Sequence, residues 1–331
     1  INMKSLKPYQ TYINNELIKR IDSPKYQTPK GLYEPCAYIL KNGGKRVRAS
    51  LVLMATKLFS HNYLQAISTA LAFETFHNFT LIHDDIMDDA SLRRGQQTVH
   101  VKWNTNTAIL SGDAVMILAY TFFEETQEHM PKLFNLLNVT ALEVCEGQQY
   151  DIDLEQADLT DSIVSEHMYI RMIELKTSVL IAACLKAGAI IGGASDKDAD
   201  LLYEFGRNLG IAFQLQDDLL DTYGEVQTLG KKIGGDIYEN KKTFLVIKAL
   251  EQLPSKEAEN LIALYKSKDS SQSKYKDVVK LFDMADVKEI TETCVAEYFS
   301  RAEMCLSKVS VSHDDKVEMY NFLDDLKQRN F

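Results

Sequence analysis

Residues 81–95 read LIHDDIMDDASLRRG. Four aspartates, Asp84, Asp85, Asp88 and Asp89, fall within six residues, and Arg93 and Arg94 follow at once. The run before them, Leu71–Ile82, is apolar and helix-like. A helix continued through it sets Asp84 and Asp88 one turn apart on one face. Carboxylates held that close repel one another and call for a strong counter-charge. Hard divalent cations such as Mg²⁺ take carboxylate oxygen, often one or two carboxylates plus the phosphate oxygens of a ligand. The arginine pair suits phosphate, because guanidinium matches it bidentately. An acidic run by itself is as readily a solvated helix end. Here the spacing recurs. Gln216–Asp221 reads QDDLLD, so Asp217, Asp218 and Asp221 repeat DDxxD. This copy also follows an apolar helical run, Leu209–Leu215, and precedes a basic, glycine-containing segment, Leu229–Lys242.

The rest of the composition fits a helical frame for these two turns. The chain has 331 residues, 45% of them hydrophobic, enough for a sizeable core. Four of its six prolines, Pro8, Pro24, Pro29 and Pro35, lie near the N-terminus, and none lies between Pro131 and Pro254. Long uninterrupted helices can run there. Period-two runs of β-branched residues are scarce, and Asn-Gly hairpin turns are absent. We read an all-α single domain over 1–331. The formal net charge of −10 argues against a nucleic-acid partner. It leaves room for an anionic small ligand, because local clusters of cations decide that. The five cysteines are scattered and show no CxxC spacing, so neither a zinc site nor a disulfide framework is expected. A reducing cytoplasm is the expected setting. No signal-peptide pattern and no apolar run long enough to span a bilayer are expected.

Further segments carry chemistry. Gly43–Arg48, GGKRVR, sets two glycines before Lys45, Arg46 and Arg48, so that backbone and cations can close on an anion. A helix C-cap with solvated basic residues is the plainer alternative. His77 precedes Asp84 by two helical turns. Lys176 sits within the apolar run IRMIELKTSVLIAACLKAGAI and must find a partner or reach water. Gln148 and Asp151, in GQQYD, lie three apart on one face.

With these motifs in this order, DDIMD, RRG, GQQYD, KT, FQLQDD and DDLLD after GGKRVR, the chain resembles the trans-isoprenyl (polyprenyl) diphosphate synthases. The resemblance runs from about Tyr38 to Leu245. It implies the isoprenoid synthase fold, antiparallel helices around a central cavity. It also implies condensation of isopentenyl diphosphate with an allylic diphosphate to a short-chain product. By the resemblance, Asp84, Asp88 and Asp217 bind Mg²⁺ directly, about three ions in all, with Asp85, Asp218 and Asp221 in support. Arg93, Lys176, Lys231 and Lys241 hold the allylic diphosphate, although Lys232 competes with Lys231 for that role. Lys45, Arg48, His77 and Arg94 hold isopentenyl diphosphate. Thr177 and Gln214 turn dipoles towards the carbocation, and Gln148 and Asp151 support the metal or its waters. Phe79, five residues before the first aspartate, is the bulky floor that stops elongation at C15 or C20. The two-residue gap before Asp88 favours geranylgeranyl diphosphate. The resemblance further implies a homodimer. One departure is Ala49, where the family usually has proline. A class I terpene cyclase would lack the second DDxxD, and a silent regulatory subunit would lack one of the pair.

Overall fold

The computed structural model describes residues 4–126, 128–224, 233–267 and 271–328. The chain runs through α1 (Lys7–Ile21), α2 (Lys30–Lys41), α3 (Val47–Lys57) and α4 (Ile67–Met87) into a short hairpin, β1 (Leu92–Arg93) and β2 (Gln96–Gln97). Then follow α5 (Val99–Lys102), α6 (Thr105–Thr121), α7 (Met130–Gln156), α8 (Glu166–Ile173), α9 (Val179–Gly192) and α10 (Asp196–Tyr223). After the second aspartate motif come α11 (Gly235–Tyr238), α12 (Phe244–Gln252), α13 (Ser255–Lys266), α14 (Gln272–Met284), α15 (Val287–Ser307) and α16 (His313–Lys327). The helical expectation holds apart from the hairpin. Its turn residues, Arg94 and Gly95, both have positive φ, 53° and 76°. A two-residue loop of this hand matches the twist of its strands. The absence of Asn-Gly had hidden it.

Helix starts follow from sequence. Ser165, Ser195, Ser271 and Ser312 each accept a backbone N–H from three residues on, at the starts of α8, α10, α14 and α16. Gly193, at φ 84°, ends α9 in the left-handed conformation. Helix α9 is the axis of the bundle. It packs on α3 and α10, and also on α4 and α7. The buried apolar residues, from Leu6 to Leu326, form one contiguous core.

Helix α8 continues into α9 through a π-helical turn, Glu174–Ser178. The sequence reading expected no apolar stretch of membrane-spanning length. Contrary to that expectation, Glu166–Gly192 has the length and composition of such a span, with 72% of its most apolar window buried inside the protein. A core helix enclosed by its neighbours needs the same composition as a helix enclosed by lipid.

Candidate active site

Both aspartate motifs occupy helix C-termini. Helix α4 ends at Met87 with Asp88 as its cap, and α10 ends at Tyr223, just past Asp221. The negative end of the helix dipole lies there, so clustered carboxylates are unfavourable without a cation. In the first motif Asp85 is buried at 1% exposure. Arg93, fixed by the hairpin, grips it: Nε lies 2.7 and 2.9 Å from the two carboxylate oxygens, and Nη2 lies 2.7 Å from Oδ1. Asp84 is half-buried. Burial, with Asp88 and Asp85 close by, pushes its carboxyl above the usual range against the pull of Lys176 and Arg93. Asp88 is exposed.

The second motif is built alike. Asp218 is buried and accepts the Tyr169 hydroxyl at 2.5 Å. Burial, then the charge of Asp236, raises its carboxyl well above normal. Asp221 accepts the Asp236 backbone N–H at 2.9 Å, and burial and Asp236 push it up to about 6. Asp217 is half-buried on the same turn. Gln214 is half-buried, one turn before Asp217 and Asp218.

Lys176 stands near the first motif. The π turn carries it and Thr177, both half-buried. Its Nζ lies 2.5 Å from Asp151 Oδ2 of α7. The approach is tight because residue 147 is glycine: a Cβ there would fall 2.2 Å from the Lys176 backbone N. The ammonium acts on Asp84, and Asp151 acts on Tyr169, the partner of Asp218. Gln148 Nε2 lies 3.8 Å from the sulfur of Met87, at the end of α4. The Lys176–Asp151 pair thus acts on Asp84 of the first motif and on Tyr169, which holds Asp218 of the second. Among the described residues no three His, Cys, Asp or Glu side chains converge to hold a metal by themselves. That donor set suits Mg²⁺, which completes its octahedron with water and ligand phosphates rather than an all-protein cage.

A separate group of cations lies at the start of α3. Gly43 and Gly44 have φ of 63° and 111°. Arg94 donates to the Gly43 carbonyl at 2.6 Å, and a Cβ on Gly44 would fall 2.7 Å from its guanidinium carbon. The loop therefore seats Arg94. Arg46 points inward to Asn14, the Leu40 carbonyl and Glu74, at 2.8, 2.6 and 3.3 Å, so it braces the loop. Lys45 is exposed, and the buried Arg48 Nε has no acceptor among the described residues. Burial, with Arg48, Arg94, Arg93 and Arg46 around it, pushes His77 well below its ordinary pKa. The structure therefore gathers Arg48, His77 and Arg94 around one point.

His77 has a consequence for acid stability. The folded chain keeps it neutral, whereas the unfolded chain protonates it below about pH 6.5. Below that value the unfolded state binds more protons, so this part of the stability is lost as pH falls. His77→Gln should flatten the drop in melting temperature between about pH 7.5 and about pH 5.5. Parallel curves for wild type and variant would contradict the assignment.

Phe79 is half-buried on α4, its ring 5.5 Å from Phe76 and 5.0 Å from His83. The exposed Lys241 pairs with Glu239 at 3.0 Å and Asp236 at 3.4 Å, and these carboxylates raise its pKa against the partial loss of water around it. Lys231 and Lys232 lie outside the described residues. Sequence reasoning missed Tyr169 and Asp236. Neither sits in a recognisable spacing, since each meets the aspartates only through the fold.

Residues 29–282 match the model of the family described as polyprenyl synthetase. The chain is 43% identical over 227 residues to a geranylgeranyl diphosphate synthase of Methanosarcina mazei, covering 68% of this chain and 69% of that one. A crystal structure of a geranylgeranyl pyrophosphate synthase superposes with a TM-score of 0.90 at 40% identity, over 98% of this chain and 99% of the other. A polyprenyl synthase of Caulobacter crescentus, solved with calcium and isoprenyl diphosphate, gives a TM-score of 0.84 at 26% identity over 99% and 98%. The paired aspartate turns stand within the matched residues, and the chain belongs to the polyprenyl synthetase family.

Proposed function

We propose that this protein is a prenyltransferase that joins isopentenyl diphosphate head to tail to an allylic diphosphate, giving geranylgeranyl diphosphate, C20. The observation that carries the reading is the Lys176–Asp151 pair, whose ammonium acts on Asp84 of the first turn and whose carboxylate acts on Tyr169, the residue that holds Asp218 of the second. The names of the relatives and the calcium and isoprenyl diphosphate of the Caulobacter structure support it.

The chemistry asks little covalent help from the chain. An allylic C–O bond breaks, and negative charge grows on the departing diphosphate. Arg93, Lys176 and Lys241 are cations suited to receive it. Asp84, Asp88 and Asp217 would hold Mg²⁺, which would supply further positive charge to that leaving group. Asp85, Asp218 and Asp221 hold those turns in place. Thr177 and Gln214 offer dipoles to the cation. Lys45, Arg48, neutral His77 and Arg94 hold isopentenyl diphosphate alongside, and orientation then supplies much of the acceleration. The lost proton passes to the released diphosphate, which removes the need for a dedicated side-chain base.

We also propose a homodimer. Leu110 and Ile117 of α6 and Leu142 of α7 are 59%, 57% and 66% exposed, large apolar side chains that a second copy would cover. Sedimentation should read twice the chain mass.

Incubation with labelled isopentenyl diphosphate, Mg²⁺ and each of the C5, C10 and C15 allylic starters tests the activity. All three should be extended to C20. Absence of any extended product would overturn the proposal.

A further inference from the structure

We infer that Tyr169 positions the second aspartate turn for its ligand, acting through Asp218. The inference rests on the reading that this turn binds a metal and a diphosphate. The two motifs share a construction that sequence alone conceals. In each, the second aspartate is turned inward and buried, Asp85 at 1% and Asp218 at 5% exposure. In each, a donor from a different segment holds it. Arg93 of β1 grips Asp85, and the Tyr169 hydroxyl of α8 donates to Asp218 Oδ2 at 2.5 Å. The donors differ in what else they can do. Arg93 is charged and partly exposed, so it can also meet a phosphate. Tyr169 is neutral and 3% exposed, with its hydroxyl committed to Asp218, so its part is to position.

Anchoring one carboxylate of a helical turn fixes the directions of the others, because side chains of one turn share its backbone rotation. Asp221 is tied from the far side by the Asp236 N–H. Two bonds therefore set the last turn of α10, and Asp217 stands one residue before the first that they hold and one helical turn before the second. Tyr169 also stands on the same continuous helical run as Lys176, with the π turn between α8 and α9 bearing the lysine. A π turn shifts the register of everything beyond it and is frequent at functional sites. One rigid element thus reaches Asp218 of the second motif through Tyr169 and acts on Asp84 of the first through Lys176. Removing the hydroxyl loosens the second motif while the cation group around His77 stays untouched.

Tyr169→Phe deletes one oxygen and keeps the ring. Its half-saturating Mg²⁺ concentration and its KM for the allylic substrate should each rise about tenfold, equivalent to about 1.4 kcal/mol. The KM for isopentenyl diphosphate should stay within twofold. A structural defect alone would move both substrates together. Asp218→Ala should raise the Mg²⁺ requirement comparably, and the double variant should be no worse than the poorer single one. Melting curves with Mg²⁺ and inorganic pyrophosphate separate the two levels of the argument. If wild type gains no stability from the pair, the metal reading and this inference both fall. If wild type gains and Tyr169→Phe gains as much at the same Mg²⁺ concentrations, this inference alone is overturned. A multiplicative loss in the double variant overturns it too. Should Tyr169→Phe fold poorly by far-ultraviolet circular dichroism, Tyr169→Leu, which removes the hydroxyl without overfilling the buried site, replaces it with the same expected split.

Discussion

Asp84→Ala should lower kcat by about a thousandfold or more, a loss of about 4 kcal/mol in transition-state stabilisation. Asp84 stands at the C-terminal end of α4, half-buried, beside Asp85 and Asp88 and within the field of Lys176. The fold tolerates that crowding at the unfavourable end of a helix dipole. The cation proposed for this site would explain why it does so. Removing one carboxylate relieves the repulsion, so the variant should fold at least as well as wild type in the absence of metal. Activity should fall steeply because the cation loses its seat against the leaving group. The KM for isopentenyl diphosphate should change little, since Arg94 is seated by the Gly43 carbonyl and not by Asp84. Steady-state rates at saturating Mg²⁺ check this, and a rate within tenfold of wild type would refute the role of Asp84.

Phe79→Ala should move the main product beyond C20 by at least one isoprene unit. The Phe79 ring lies against Phe76 and His83, and its truncation opens space on that side of α4. Overfilling a packed site costs about 1–3 kcal/mol, which suffices to stop one more condensation. Because Phe79 is only half-buried, the fold should lose less than the ~3–5 kcal/mol of a fully buried Phe→Ala change. Sizing the dephosphorylated products decides the matter. An unchanged distribution would remove Phe79 from the floor.

What the sequence disclosed, and what it hid, divides along the range of the interactions. The aspartate turns were legible because their geometry is local: four residues on a helix determine which carboxylates share a face. The glycine loop was legible for the same reason, and φ values of 63° and 111° at Gly43 and Gly44 agree with it. The direction of Arg46 was not. It stands between Lys45 and Arg48 in one basic run, yet it turns inward to Glu74, 28 residues away. Tyr169 reaches Asp218 across 49 residues, and Lys176 reaches Asp151 across 25. No periodicity encodes such pairs. The π turn at Glu174–Ser178 is invisible for another reason: it stands at a close approach of two helices, Gly147 against the Lys176 backbone. The hairpin at Arg93–Gln96 escaped because Arg-Gly is an uncommon turn pair, held here by Arg94 bonding back to the glycine loop.

The central claim is that two acidic helix ends, far apart in sequence, share one anion. The direct test is a crystal structure with Mg²⁺ and an allylic thiolodiphosphate that resists ionisation. The account expects Mg²⁺ on Asp84 and Asp88 and on Asp217, with oxygens of the same diphosphate completing both sets of ligands. Cations on one motif only, or a diphosphate bound away from Lys176, would contradict it.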